Sequence, residues 1–332
     1  MTTFDHTFEI DRLTEEVLDK NRWFSDLLRY WRPAGEAAGA DTGNGDAPLV
    51  RDCATESDAK HLRVAFRDGY MNFYRGGQSI AKVSFGRDGL QAKIHNKYVY
   101  GGEATGKDYV TLASTGFQDP NNGKPLPYNG LHELISNANG HIGDEKRFVD
   151  LVVAHNPNVI DLEMGLPAYS KDPGKNRAPR VDLVAIEPCG GWWRVVFWEV
   201  KRVGDPRARR ESDVTPEVVD QLKAYTDWFD DEDRRKSVTD AYQHTCRMLV
   251  DLHTVASSVN PDIQELGPGI RAVAADGAHP LVIDDKPRLM IIYDEENESF
   301  TRKKHLDKLL QHGGLHVQLV KNLKQLTLDV RP

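Results

Sequence analysis

The sequence predicts a mixed α/β protein, with an N-terminal helix plus antiparallel β module followed by a larger region built around a mixed sheet flanked by helices. Three observations predict this. Residues 8–31 carry apolar side chains at helical spacing. Residues 61–100 change character to short β-rich runs divided by the turn pairs Asp68-Gly69, Gly76-Gly77 and Asp88-Gly89. From about residue 131 helical and strand patterns follow in the order α-β-β-β-α-insert-β-α-β. A chain of 332 residues makes one large domain or two ordinary ones, and 39% hydrophobic with 28% charged residues is a globular balance.

In chain order, the first helix places Phe8, Leu13, Val17, Trp23, Leu27 and Leu28 on one side and is ended by Pro33. Residues 34–48, rich in Gly, Ala and Asp, read as a linker or surface loop. HLRVAF, GYMNFYR, SIAKVSF and LQAKIHNKYV form a β-meander of three or four strands, and the Gly-, Pro- and Asn-rich stretch 115–130 is a connector. A helix is expected over 144–154, then strands at 159–164, 181–187 and 193–201, a helix at 214–229 and a polar helical segment at 232–258. Strands at 289–293 and 315–320 flank a helix near 302–311. The division expected is an accessory module, 1–130, and a second domain, 131–332, with no internal repeat.

Composition excludes several classes. Cys53, Cys189 and Cys246 are scattered and odd in number, with no zinc-like spacing, which points to a reduced, cytoplasmic compartment. The first residues lack the basic head and apolar core of a signal peptide, and no apolar run is long enough to span a membrane. The twelve histidines show no metal-protease spacing. No phosphate-binding Walker loop, dinucleotide fingerprint or G-x-S-x-G elbow occurs. The net charge of -8 argues weakly against nucleic acid, but phosphates are met by patches. Segments 177–210 and 63–107 carry net charges of +4 and +5.

One constellation carries chemistry. Gly190-Gly191 suits a two-residue hairpin turn, which pairs 189 with 192 and, further along, Asp182 with Glu199. Directly opposed residues share a face, with Cβ atoms about 4.5–5.5 Å apart, and Lys201 follows on that face two residues later. Val184, Ile186, Val195 and Phe197 accompany them, while Val181, Leu183, Ala185, Val196, Trp198 and Val200 fill the other face. A hairpin apolar on both faces is covered on both sides. Lys201 could serve as a plain ion-pair partner, but buried ion pairs are weak sources of stability. Two adjacent carboxylates call for a cation between them, and a hard, oxygen-seeking ion such as Mg²⁺ fits. Such an ion lowers the pKa of a bound water, and a lysine beside it orients that water or neutralises charge on a phosphorane.

RVDLVAI followed by FWEVKR resembles the motif of the PD-(D/E)XK nucleases, with Asp182 as the acidic end of the first part and Glu199-Val200-Lys201 as E-x-K. Val181 stands where the motif's Pro would be. The resemblance covers roughly residues 140–325 and implies a restriction-endonuclease-like αβββαβ core. Gln221 and Tyr225, at i and i+4 in VVDQLKAYTDWF, resemble the Q-x-x-x-Y motif of the RecB-like branch, which implies a pair near the active site that contacts DNA. Glu145 lies on the apolar side of its helix with Phe148, Val149 and Val152, and the family's acidic first-helix residue implies a further metal ligand there. Asp150 and Asp144 are its rivals, Asp144 reading better as an N-cap. The metal set implied is Glu145, Asp182, Glu199 and Val200, with Mg²⁺ or Mn²⁺ as cofactor. Glu163, between Leu162 and Met164, could approach the site but reads rather as solvent-facing or salt-bridging.

Arg202, Arg207, Arg209 and Arg210 directly follow the E-x-K strand and are expected to meet phosphates, for which arginine offers paired hydrogen bonds. In 61–100, Phe66, Tyr70, Phe73, Tyr74, Phe85 and Tyr98 alternate with Arg75, Lys82, Lys93 and Lys97. They read as the core and charged edge of an ordinary sheet, or as a surface on which bases stack. The expectation is a metal-dependent DNase, and the resemblance implies a prokaryotic role in repair, restriction or antiviral defence; whether it is an endonuclease or an exonuclease, and whether it acts with a partner protein or as a homodimer, stays open. The alternatives are a nuclease-fold protein that binds without cutting, and an RNase.

Overall fold

The computed structural model describes residues 4–37, 61–100, 109–118, 125–126, 128–168, 180–209, 215–275, 281–293, 304–311 and 315–330. Most of the expected 34–48 linker, together with Cys53 and Arg210, lies outside the described residues.

The N-terminal segment is not one helix. A 3-10 turn at Ile10–Arg12 precedes α1 (Glu15–Lys20) and α2 (Arg22–Tyr30). The physical reason is capping inside the apolar pattern. Thr14 accepts the Val17 N–H at 3.4 Å, and Asn21 closes α1 by donating its side-chain amide to the Val17 carbonyl at 2.8 Å. Despite the break, Phe8, Leu13, Trp23, Leu27 and Leu28 are buried as expected, and Val17 is half-buried against the same core.

The first sheet is an antiparallel meander of seven strands in sequence order: β1 (Arg63–Arg67), β2 (Tyr70–Arg75), β3 (Gln78–Gly86), β4 (Gly89–His95), β5 (Tyr109–Ala113), β6 (Gly116–Gln118) and β7 (Pro125–Leu126). Four strands fall where the sequence predicts them. The sheet also runs on through the expected connector, because turn-rich composition does not prevent short strands from pairing at an edge. The last expected strand stops at His95, whose ring nitrogen accepts the Lys97 N–H and starts a short helix, α3 (Asn96–Val99). An unforeseen helix, α4 (His132–Asn139), packs on α3, β2 and β3, so it belongs with the first sheet although it lies beyond the boundary expected at 130.

The second sheet follows α5 (Asp144–His155). Its elements in the chain are β8 (Val159–Gly165), β9 (Arg180–Cys189), β10 (Trp192–Arg202), α6 (Glu217–Phe229), α7 (Glu232–Val259), α8 (Pro268–Ala274), β11 (Leu281–Ile283), β12 (Arg288–Ile292), α9 (His305–Gln311) and β13 (Val317–Val320). In space the strands run β13-β12-β10-β9-β8, with β11 pairing β10. β8, β9 and β10 are antiparallel; β11 and β12 lie parallel to β10, and β13 parallel to β12. Parallel neighbours need crossovers, which α6 to α8 and α9 provide.

Gly190 and Gly191 turn β9 into β10 with φ of 55° and 88°, the left-handed conformations a two-residue hairpin requires. The register is the one expected, from Trp192 opposite Cys189 to Trp198 opposite Leu183. Both faces are covered. Val184, Ile186, Val195 and Phe197 join a core with Leu222 and Phe229 of α6 and Leu252 of α7. Leu183, Ala185, Val196, Trp198 and Val200 pack with Phe148, Val149 and Val152 of α5. Val181 departs from expectation: it packs with its strand partner Met164 in the first of these cores. That first core also contains Phe24, Leu27, Trp31 and Phe66, while Ala65 and Tyr74 of the first sheet join the second. The two sheets therefore share their interior.

Buried ion pairs cross the same junction. Asp150 of α5 meets His61 at 2.7 Å and, from β1 and β2, Arg63 at 2.9 Å and Arg75 at 3.3 Å. Asp161 of β8 meets Arg67 at 2.8 Å and accepts the Tyr242 hydroxyl at 3.0 Å. Burial by itself would favour a neutral Asp150, yet Arg63 and His61 hold its carboxyl well below the usual range. No described helix is long and apolar enough to cross a membrane.

Candidate active site

Where the β9–β10 ladder ends, polar groups replace apolar ones. The last ladder pair is Trp198 with Leu183, and Asp182 and Glu199 come next on their strands. Asp182 Oδ2 accepts the Val200 N–H at 2.9 Å. Lys201 Nζ donates to Glu199 Oε1 at 2.5 Å and to the Val200 carbonyl at 2.8 Å, and lies 3.8 Å from Asp182 Oδ2. All three side chains are buried, with Glu199 at 2% and Lys201 at 1% exposure. The expected trio is therefore together, joined through the lysine ammonium.

Burial first and the Asp182 charge second push the Glu199 carboxyl up to about 7, against the pull of Lys201 and Gln221. For Lys201 burial works the other way, but Glu199, Asp182 and Glu145 outweigh it and raise its pKa. The lysine is thereby kept a cation.

Helices close the site from both faces. From α6, Gln221 donates to Glu199 Oε1 at 2.8 Å, and the Tyr225 hydroxyl lies 3.4 Å from Glu199 Oε2 and donates to the Arg180 carbonyl. The Q-x-x-x-Y pair thus meets a carboxylate of the site, and Tyr225 is buried; burial pushes its hydroxyl pKa up. From α5, Glu145 stands 3.8 Å from Lys201 Nζ and 3.6 Å from the Arg207 guanidinium. Burial raises its pKa.

The rivals of Glu145 are elsewhere. Asp150 is committed to the inter-sheet junction. Asp144 is the first residue of α5 and pairs with Arg202 at 3.3 Å; Gly143 occupies the N-cap position assigned to Asp144, so that expectation is corrected. Arg207, 41% exposed, also binds Asp205 at 2.6 Å. Arg209 donates its Nε to the Val203 carbonyl at 2.6 Å.

One residue escaped the sequence reading. Lys146 Nζ sits 2.6 Å from Asp182 Oδ1 and 2.5 Å from Glu163 Oε1. Burial opposes its charge, but Asp182 and Glu163 raise its pKa. Glu163 is salt-bridging, as expected, but its side chain is only 7% exposed. No spacing rule links residue 146 to 163 or 182, since the contact joins a helix start to two strands.

Among the described residues no three His, Cys, Asp or Glu side chains are gathered as a metal cluster. The donors aligned along the β9–β10 end are the two buried carboxylates and the Val200 carbonyl, all oxygen. This set fits a hard cation that keeps several of its waters, as Mg²⁺ does, and does not resemble a zinc site. Comparison of the chain with protein-family models, curated proteins and solved structures gives no match.

Proposed function

We propose that this chain is a Mg²⁺- or Mn²⁺-dependent nuclease of the PD-(D/E)XK type that hydrolyses phosphodiester bonds in DNA. The observation that carries the reading is the burial of Asp182, Glu199 and Lys201 as one contacting group at the end of an antiparallel hairpin. Burying two carboxylates and an ammonium costs stability that apolar residues would not, so the group calls for a use beyond structure. The order of elements from α5 to β12, apart from the inserted α7, α8 and β11, is that of the αβββαβ core the motif implies.

Asp182, Glu199 and the Val200 carbonyl would hold the ion, with Glu145 near enough to share its waters. When bound, the ion would polarise the phosphate and lower the pKa of a water. Lys201 supplies a fixed cation for charge developing on the phosphate. Gln221 and Tyr225 orient Glu199. Arg180, 70% exposed and paired with Glu163, and Arg207, 41% exposed and beside Glu145, offer guanidinium groups to solvent next to the site.

The first sheet favours a polyanionic substrate. Lys82 and Lys93 lie directly opposite each other on β3 and β4, a like-charge pairing that costs stability. The Lys82 ammonium is 5.8 Å from the Tyr70 ring and 5.3 Å from the Tyr109 ring. Strands β2 to β5 contain no acidic residue. Cations beside the half-buried Tyr70 and the exposed Tyr109 suit a nucleic-acid strand with stacked bases.

The test is cleavage of circular single-stranded and supercoiled double-stranded DNA with Mg²⁺, Mn²⁺ or EDTA, comparing wild type with Lys201→Ala. Metal-dependent cutting that is lost in the variant is expected. DNA binding by wild type with no cutting under any condition would overturn the enzymatic reading in favour of a binding protein, and cleavage confined to RNA would overturn the substrate.

A further inference from the structure

Lys146 and Glu163 have no part in the chemistry above, yet they are built into the same wall. The Lys146 ammonium lies between Glu163 Oε1 at 2.5 Å and Asp182 Oδ1 at 2.6 Å. Glu163 has a φ of 54°, a left-handed backbone that a non-glycine side chain disfavours by about 1 kcal/mol or more. Such a conformation persists only where the surroundings impose it. They do so here: Arg67 of the first sheet donates to the Leu162 carbonyl at 2.7 Å and to the Asp161 carboxylate at 2.8 Å, gripping the backbone just before Glu163.

The β2–β3 turn completes the clamp. At Gly77, φ 72°, an added Cβ would lie 2.9 Å from Lys146 Cδ and 3.3 Å from Glu163 Oε1. Only a glycine lets the turn close over this ion pair. Both contacts come from the N-terminal sheet.

We propose that Lys146 is a built-in counter-cation of Asp182 that sets the affinity of the site for its divalent ion, and that Glu163, clamped by the first sheet, draws part of that ammonium away. The proposal rests on the metal-dependent reading above. A positive charge on a ligand carboxylate opposes the arrival of a second cation, so removing it strengthens metal binding. Removing the Glu163 charge leaves Lys146 to Asp182 alone and weakens it. The two residues therefore act with opposite sign, and the N-terminal module tunes the site through them.

The experiment is Mn²⁺ binding to the full-length protein without DNA, read from the electron paramagnetic resonance signal of free Mn²⁺, with thermal unfolding as a control for folding. Lys146→Met is expected to tighten binding roughly tenfold and Glu163→Gln to loosen it by a similar factor, the scale of one close charge interaction. Lys146→Arg, which keeps the charge, should stay near wild type. Should Lys146→Met not fold, Lys146→Gln carries the same expectation. If wild type binds Mn²⁺ but both variants shift together or not at all, the counter-cation role is overturned while the nuclease reading stands. No Mn²⁺ binding by wild type would sink both.

Discussion

Glu199 shows how the candidate site is assembled around a single carboxylate. It accepts from Lys201 and Gln221, and the Tyr225 hydroxyl faces its second oxygen. Gln221→Ala removes one hydrogen-bond partner of a charged group, worth about 1.5–3 kcal/mol, and should slow cleavage roughly 10- to 100-fold, whereas Tyr225→Phe, whose hydroxyl hydrogen goes to the Arg180 carbonyl, should slow it less. Both should leave the KM for DNA near wild type, because they act through Glu199. Steady-state kinetics decides this: a raised KM with unchanged kcat would make them DNA contacts instead. Lys201→Ala should cost more than either, since it removes a cation from the reacting centre. Asp182, Glu199 and Lys201 could be found in the sequence because alternation along a hairpin is local information. That Gln221 and Tyr225 reach Glu199, and that Arg209 donates to the Val203 carbonyl, depends on how α6 and the segment after β10 lie against the sheet, which alternation does not encode.

At the level of the element, α5 serves two purposes along one short length. Its first turn sends Glu145 and Lys146 to the site, and Asp150, farther along, joins the first sheet through Arg63, His61 and Arg75. Asp150→Asn leaves Arg63 buried with Glu36 as its remaining carboxylate partner, and should destabilise the protein by roughly 3–5 kcal/mol at neutral pH. The pH dependence has a definite sign. The folded pKa of Asp150 is depressed, so its contribution is full above the unfolded value of about 3.9 and is lost as pH falls below it. The stability gap between wild type and Asp150→Asn, measured by urea unfolding at pH 7 and near pH 3, should therefore narrow in acid. A gap that stays constant would mean that the charge of Asp150 contributes nothing. The helical spacing of Glu145, Phe148, Val149 and Val152 was visible in the sequence. The polar side of the same helix was ambiguous, because its acids could pair with either neighbour.

For the whole molecule, the shared interior matters more than the count of sheets. Trp31 and Phe66 of the first module lie in the same core as Phe197 and Leu252 of the second. The full chain should unfold in one transition, with fluorescence and far-ultraviolet circular dichroism coincident. A fragment covering 131–332 should lack a cooperative transition, because it exposes that core and leaves Asp150 and Asp161 without Arg63 and Arg67. Two separate transitions in the full chain would instead support the division at 130. On the surface, Lys82→Glu with Lys93→Glu should weaken DNA binding evenly across sequences and reduce its salt dependence, which binding titrations at several ionic strengths would show.

Periodicity and turn chemistry were enough to place the hairpin, its register and the acidic pair with its lysine, because each follows from the twofold repeat of a strand and the positive φ of Gly190 and Gly191. They also gave the order of helices and strands from α5 to α7 and from β12 to β13, but not α8 and β11 between them. They failed where capping cut the first helix at Thr14 and Asn21, and where short strands β5 to β7 and α4 formed in segments of weak pattern. Above all they could not reveal that Lys146 bridges Glu163 and Asp182 beneath the Gly77 turn. That contact joins residues far apart in the chain, and a local pattern says which side of an element is covered but not by what.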